Sequence, residues 1–152
     1  MQVKQVTPEQ LPKVKQRFIQ FIQLHGDKRI TKQATRWLEA ITGEQLTEEG
    51  NCILAAIEDK KLTGVLAVAD YGRKEAFVAV HVHYRQQKTG VTLLEELLKR
   101  VDKAYGRVAL DNIPSLKMCF AMGMIGFKVI TGPTGKPTLW LGLGNWKKED
   151  VE

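Results

Sequence analysis

The stretch that decides the fold is Gln87-Lys88-Thr89-Gly90-Val91-Thr92, which runs directly into Leu93-Leu94-Glu95-Glu96-Leu97-Leu98. A strand-like run from Ala76 to Tyr84 ends just before it, and an amphipathic helix starts at its far end. In that helix Leu93, Leu94, Leu97, Leu98 and Val101 share one side, while Glu95 with Lys99 and Glu96 with Arg100 form i,i+4 pairs on the other. Strand, short glycine-containing loop and helix N-terminus form a phosphate-binding geometry. The first-turn amides lack intrahelical acceptors, and the helix dipole favours negative charge there. Gly90 lets backbone approach a ligand closely, and Thr92 either adds a hydroxyl donor or crowds the site. An ordinary N-capped loop, with glycine serving turn geometry, accounts for the same six residues.

Upstream of the junction, Gln2 to Val6 alternates as an opening strand does. Thr7-Pro8-Glu9-Gln10 reads as a helix start, with Thr7 and Gln10 forming a capping box. Leu11, Val14, Phe18, Phe21 and Ile22 give that helix one apolar face, and His25-Gly26-Asp27 ends it. A second helix carries Ile30, Ala34, Trp37, Leu38 and Ile41, with Thr42-Gly43 as its stop. Runs at 52–57, 62–69 and 76–84, separated by Asp59-Lys60-Lys61 and Tyr71-Gly72-Arg73-Lys74, predict an antiparallel meander.

Downstream, Tyr105-Gly106 closes the long helix and Arg107 to Leu110 forms a short strand. That strand is expected parallel to the meander's last strand, through a right-handed crossover. Asp111-Asn112 caps a further helix with Pro114 in its first turn, running to about Met122-Gly123. Strands at 127–130 and 138–143 flank the turn-rich Gly132-Pro133-Thr134-Gly135-Lys136-Pro137. The order is strand, helix, helix, three strands, helix, strand, helix, two strands. It predicts one α/β (α+β-like) domain over residues 1–152, built on a single mixed sheet.

Composition narrows the function classes. Of 152 residues 43% are hydrophobic and 26% charged, as in a globular domain, and no apolar run approaches a membrane span. The N-terminus lacks a secretory apolar core, so a cytoplasmic location is expected. Cys52 and Cys119 stand in unlike contexts without metal spacing, which predicts two free thiols and no metal. The net charge of +6 is spread along the chain with no aromatic-interleaved stripe, no helix-turn-helix and no zinc signature. Nucleic acid is therefore not the expected partner.

The pattern resembles the GNAT superfamily of N-acetyltransferases, which bind acetyl-coenzyme A. Their loop signature, Arg or Gln, two residues, Gly, one residue, then Gly or Ala, is matched by Gln87, Gly90 and Thr92. A second family pattern has an Asn opening a helix, a small residue three later, then Leu-Tyr-x-x-Leu-Gly-Phe. It aligns without a gap with Asn112, Ser115 and Met118-Cys119-Phe120-Ala121-Met122-Gly123-Met124. Two departures stand out: Thr92 replaces the small residue, and Lys88 stands where Gly is common. The resemblance implies a twisted, mostly antiparallel sheet flanked by helices. It also implies acetyl-coenzyme A as cosubstrate and direct transfer of its acetyl group to an amine, of a small molecule or of a protein.

On that resemblance the cofactor is bound by Val80, Val82, Gln87, Lys88, Thr89, Gly90, Val91, Thr92, Asn112 and Ser115. Amides near Val80, His81 and Val82 polarise the acyl carbonyl, and the pantetheine arm pairs with the strand edge. Cys119 occupies the position of the proton-donating Tyr of many relatives. A buried structural thiol is the competing explanation of that residue. His81 and His83, two apart on a strand, share a face as candidate bases. The alternative to an enzyme is a catalytically degenerate acyl-coenzyme A-binding or sensing module, which the substituted Tyr position and the thinned Gly loop favour. The 132–137 turn and Asn145-Trp146-Lys147-Lys148 are surfaces that leave either a homodimer or an exposed tail open.

Overall fold

A computed structural model describes residues 1–133 and 135–151, with Gln86 described by its backbone alone; Thr134 of the expected turn and Glu152 lie outside the described residues. The elements are β1 (Gln2–Gln5), α1 (Leu11–His25), α2 (Lys32–Ala40), the single turn α3 (Gly43–Leu46), β2 (Cys52–Glu58), β3 (Lys61–Ala69), β4 (Glu75–Val80), α4 (Thr89–Leu98), β5 (Lys103–Ala109), α5 (Ile113–Ala121), β6 (Ile125–Thr131) and β7 (Pro137–Gly144). Short 3-10 turns occupy Asp70–Gly72, Val82–Gln87 and Lys148–Val151. The α/β class and the antiparallel strands are as the sequence implies. The sheet, however, is parted: β1-β2-β3-β4 form one antiparallel sheet and β5-β7-β6 another. No ladder joins β4 to β5 among the described residues, so the expected parallel pairing at that point is not formed.

The two faces of the first sheet carry two cores. Ile53, Ala55, Val65, Ala67, Phe77 and Ala79 pack under α1 and α2. Cys52, Leu54, Ala56, Leu66 and Val68 pack on the opposite side against Leu93, Leu94 and Leu97 of α4, together with Ala104, Leu141 and Leu143 of the second sheet. Strands covered on both faces read as continuous apolar runs, which is why β2 and β3 show little alternation. Leu93 and Leu97 are fully buried, and each contributes about 2 kcal/mol of transfer free energy.

Local signals set most boundaries. Thr7 and Gln10 exchange the reciprocal bonds of a capping box, at 3.1 and 3.2 Å. Thr42, expected to end the second helix, instead opens α3 with its own capping box to Gln45. The long helix stops at Leu98 rather than at Tyr105-Gly106. Residues 103 to 109 pair with β7 from Lys103↔Gly144 to Ala109↔Thr138, and this pairing overrides their local propensity. The last meander strand ends at Val80, not Tyr84.

At one end the two sheets are pinned together. Gly72, with φ +99°, lies so close to β5 that a Cβ there would run into the Tyr105 carbonyl oxygen. The Tyr105 hydroxyl donates to Asp150, whose carboxylate also receives Lys103 at 3.0 Å. The C-terminal segment thus folds back on its own sheet, with Trp146 stacked on Phe127 at 4.9 Å. Substitution Gly72→Ala combines a forbidden φ with a backbone clash. We expect it to destabilise the fold by about 3 kcal/mol or more in chemical denaturation, whereas Gly123→Ala, where φ is also positive (+85°) but no atom crowds the new Cβ, costs less.

Candidate active site

The gap between β4 and β5 is a cleft of about 460 Å³. On one side it is lined by Leu94 and Leu97 of α4 and by Asn112, Ser115, Met118 and Cys119 at α5. On the other it is lined by the α1–α2 loop, Ala34, Glu75, Phe77, Tyr105 and Arg107. Backbone groups of β4 edge it. The His81 amide donates to Thr63 of β3 at 2.8 Å, so residues 75, 77, 79 and 81 spend their backbone groups on that ladder. Alternation then turns the amides and carbonyls of Ala76, Val78 and Val80 away from β3, towards the cleft. The Val80 carbonyl accordingly accepts from Arg85 Nε at 3.1 Å.

Beyond Val80 the chain leaves the sheet because side chains capture its amides. Val82 donates to His25 Nδ1 at 3.4 Å and His83 to His81 Nδ1 at 3.2 Å. His25 and His81 rings lie 4.2 Å apart, His81 and His83 5.3 Å. Of the two histidines expected on a strand face, His81 therefore caps the 3-10 turn and His83 lies on it. They belong to a cluster of tilted imidazoles with His25, and neither lines the cleft. Burial, then the neighbouring His81 and Arg85 charges, lower the His25 pKa below 6.5, with Asp27 opposing. Burial, then Lys61, His83 and Arg85, lower that of His81.

The loop expected to hold phosphates has a defined build. Gln87 ends the 3-10 turn, and Lys88 is the α4 N-cap in the left-handed conformation (φ 59°), which explains why glycine suits that position. Thr89 is buried and its hydroxyl donates to the Tyr84 carbonyl at 3.2 Å. Thr92 spends both its amide and its hydroxyl on the Lys88 carbonyl, each at 2.9 Å, and so closes the first helical turn. That leaves the amides of Thr89, Gly90 and Val91 in the first turn of α4. Gly90 is buried against α5, where a Cβ would collide with Met118 Sδ.

At α5, Asn112 caps through its backbone carbonyl to the Leu116 amide, leaving its side chain uncommitted within the described residues, half-buried in the cleft beside Ser115. Cys119 is buried, and desolvation pushes its thiol up to about 11, so it stays neutral at physiological pH. Both cysteines are free and buried.

Glu75 is the residue that sequence reasoning passed over. It opens β4 on the cleft, 7% exposed, and burial raises its pKa, with Arg107 and the Ala76 amide pulling the other way. A signal existed: an acidic residue immediately ahead of an apolar run, two before Phe77 and therefore on Phe77's face.

A family model described as an acetyltransferase (GNAT) domain matches residues 7–136. The chain belongs to the GNAT acetyltransferase family. Among solved structures, a GNAT-family acetyltransferase from Streptococcus pneumoniae aligns with a TM-score of 0.71 at 14% identity, covering 94% of this chain and 98% of its own. A spermidine N-acetyltransferase variant from Vibrio cholerae gives 0.64 at 11%, covering 95% of each. A ribosomal-protein-alanine N-acetyltransferase from Brucella melitensis gives 0.62 at 16%, covering 95% and 99%. No curated protein matches the chain at a significant level. In this GNAT domain no helix among the described residues is long and apolar enough to cross a membrane, and no cluster among them suits a metal ion.

The imidazole cluster makes a pH prediction for this GNAT domain. The folded pKa values of His25 and His81 lie below the unfolded value of 6.5, so the fold favours neutral rings. Stability is complete above about pH 6.5 and declines as the pH falls through 6.5 towards the folded values. Denaturation midpoints between pH 8 and 5 should show this decline, and His25→Phe should flatten it.

Proposed function

We propose that this protein is an acetyl-coenzyme A-dependent N-acetyltransferase that moves the acetyl group directly to an amine. The observation that carries the reading is a cleft with Asn112 and Ser115 at the start of α5 and the unladdered β4 edge on one side and the buried carboxylate of Glu75 on the other, while the first turn of α4 packs against α5 beside it. The chemistry of the donor set suits the ligand. A diphosphate needs converging amides, supplied by Thr89, Gly90 and Val91, with Lys88 and Gln87 exposed beside them. A pantetheine arm carries amides of its own, which pair with the Val78 and Val80 edge and with Asn112 and Ser115. Val82 is less suited, since its amide is engaged with His25.

In this reading the acceptor enters from the Glu75 side. Its nitrogen attacks the thioester carbonyl carbon, the C–N bond forms and the C–S bond breaks. Glu75 receives the proton lost by the nitrogen, because its raised pKa makes it a stronger base than an ordinary carboxylate. An amide of the β4 edge stabilises the oxyanion. Cys119 is a poor acid for the departing thiolate, since a thiol near 11 gives up its proton reluctantly to a thiolate of ordinary pKa about 8.5. Solvent reaching the open cleft supplies that proton. His81 and His83 act on the loop's shape rather than at the nitrogen.

Thiol release measured with an amine panel tests the enzyme reading. Glu75→Gln should lower kcat by about a hundredfold or more and remove the acid limb of the pH profile, with coenzyme A binding retained. Cys119→Ala should cost less than about tenfold. Gly90→Asp should abolish the thermal shift given by coenzyme A, by bulk against Met118 and by like charge. The alternative, a binding module without turnover, predicts a full coenzyme A shift and no thiol release with any amine.

A further inference from the structure

Arg107 lines the cleft without an acidic partner within ion-pair distance among the described residues. It stands on β5, on the same strand face as Tyr105, and pairs in register with Trp140 of β7. Its guanidinium lies over the Trp140 ring at 5.0 Å, and its N–H groups donate to no other group among the described residues. The residue is solvent-exposed, lines the cleft, and acts electrostatically on Glu75 across it. Among the described residues it forms no salt bridge.

The other charges of that half differ. Asp27 is held by Arg85 at 2.6 and 3.0 Å. Arg29 and Lys136 share Asp111, each at 2.8 Å. Lys28 lines the same mouth and also has no acidic partner among the described residues. The entrance therefore holds Lys28, Arg29, Arg107 and Lys136 together with Asp27, which Arg85 neutralises, and Asp111, which Arg29 and Lys136 share; cations remain in excess there, and Glu75 is the buried acid inside. Such a mouth repels a polycation and attracts an amine that brings its own anion.

Resting on the acetyltransferase reading above, we infer that the acceptor is a small amine carrying an oxyanion, a carboxylate or a phosphate, which Arg107 clamps while Glu75 takes the amine end. A planar guanidinium engages either oxyanion through two parallel N–H bonds. Arg107 is thus a specificity residue: it senses the acceptor's second group, not the nitrogen that reacts.

The test is acetylation of shape-matched pairs: β-alanine against β-alaninamide, phosphoethanolamine against ethanolamine, and spermidine as the polycation. The wild-type protein should favour the anionic member of at least one pair by at least about tenfold in kcat/KM, mainly through KM. Which pair responds tells carboxylate from phosphate. Arg107→Gln should collapse that ratio towards unity, and Arg107→Lys should restore part of it. As a readout without turnover, calorimetric binding of N-acetyl-β-alanine and N-acetyl-phosphoethanolamine should weaken for the preferred product in Arg107→Gln. A preference for spermidine or for the uncharged members, or a ratio unchanged in Arg107→Gln, overturns the inference while leaving the enzyme reading intact. Absence of transfer to every amine overturns both.

Discussion

Everything distinctive in this molecule follows from β4 and β5 meeting at one end and not zipping together. Two adjacent strands normally gain a hydrogen-bond ladder, and an open edge is a liability. Here the turn at Asp70–Gly72 seats Gly72 directly against the Tyr105 backbone, which sets how the strands meet. Arg73, Lys103 and Tyr105 converge on Asp150 and hold the C-terminal segment over the same joint. Partly exposed ion pairs contribute roughly 0–1 kcal/mol each, so close packing at glycine governs the joint and the charges refine it. The unladdered length above it is the cleft, edged by backbone groups that lack a strand partner and suit an extended, amide-bearing ligand.

The segment after β4 is preorganised by side chains. Arg85 ties the Val80 carbonyl, the His25 carbonyl and the Asp27 carboxylate into one cluster. The imidazole cluster caps the amides of Val82 and His83. Lys88 adopts a left-handed conformation that costs a non-glycine residue roughly 1–2 kcal/mol, offset by the helical turn that Thr92 closes on its carbonyl. A loop held from several sides keeps its first-turn amides in place, which on the proposed reading reduces the ordering cost of binding an anion.

The elements set by local rules were legible in the sequence: the Thr7–Gln10 box, the leucine face of α4, the apolar β2 and β3, and the two free buried thiols. What was not legible depended on contacts remote in the chain. Tyr105 and Gly106 carry helix-stop chemistry, yet join a strand because β7 pairs with them. His81 and His83 continue an apolar alternation, yet turn away because His25, some 60 residues earlier, takes the Val82 amide. Glu75 looks like a turn charge until the parted sheet leaves it lining a cleft. The pattern at 87–92 is short and local, whereas the Glu75 side of the cleft is assembled from separate strands.

Gly90 joins these two kinds of information. Its lack of a side chain reads as room for a ligand, but the atom that fills the space beside it is Met118 of α5. Met118 in turn lines the cleft between Ser115 and Cys119. The loop at 87–92 and the helix opened by Asn112 are therefore one packed object seen as two motifs. The close approach of α4 and α5 at Gly90 sets how far the first-turn amides stand from the Asn112 end of the cleft. A larger residue at position 90 would first displace the Met118 side chain, so a change in one motif is felt in the cleft lining of the other.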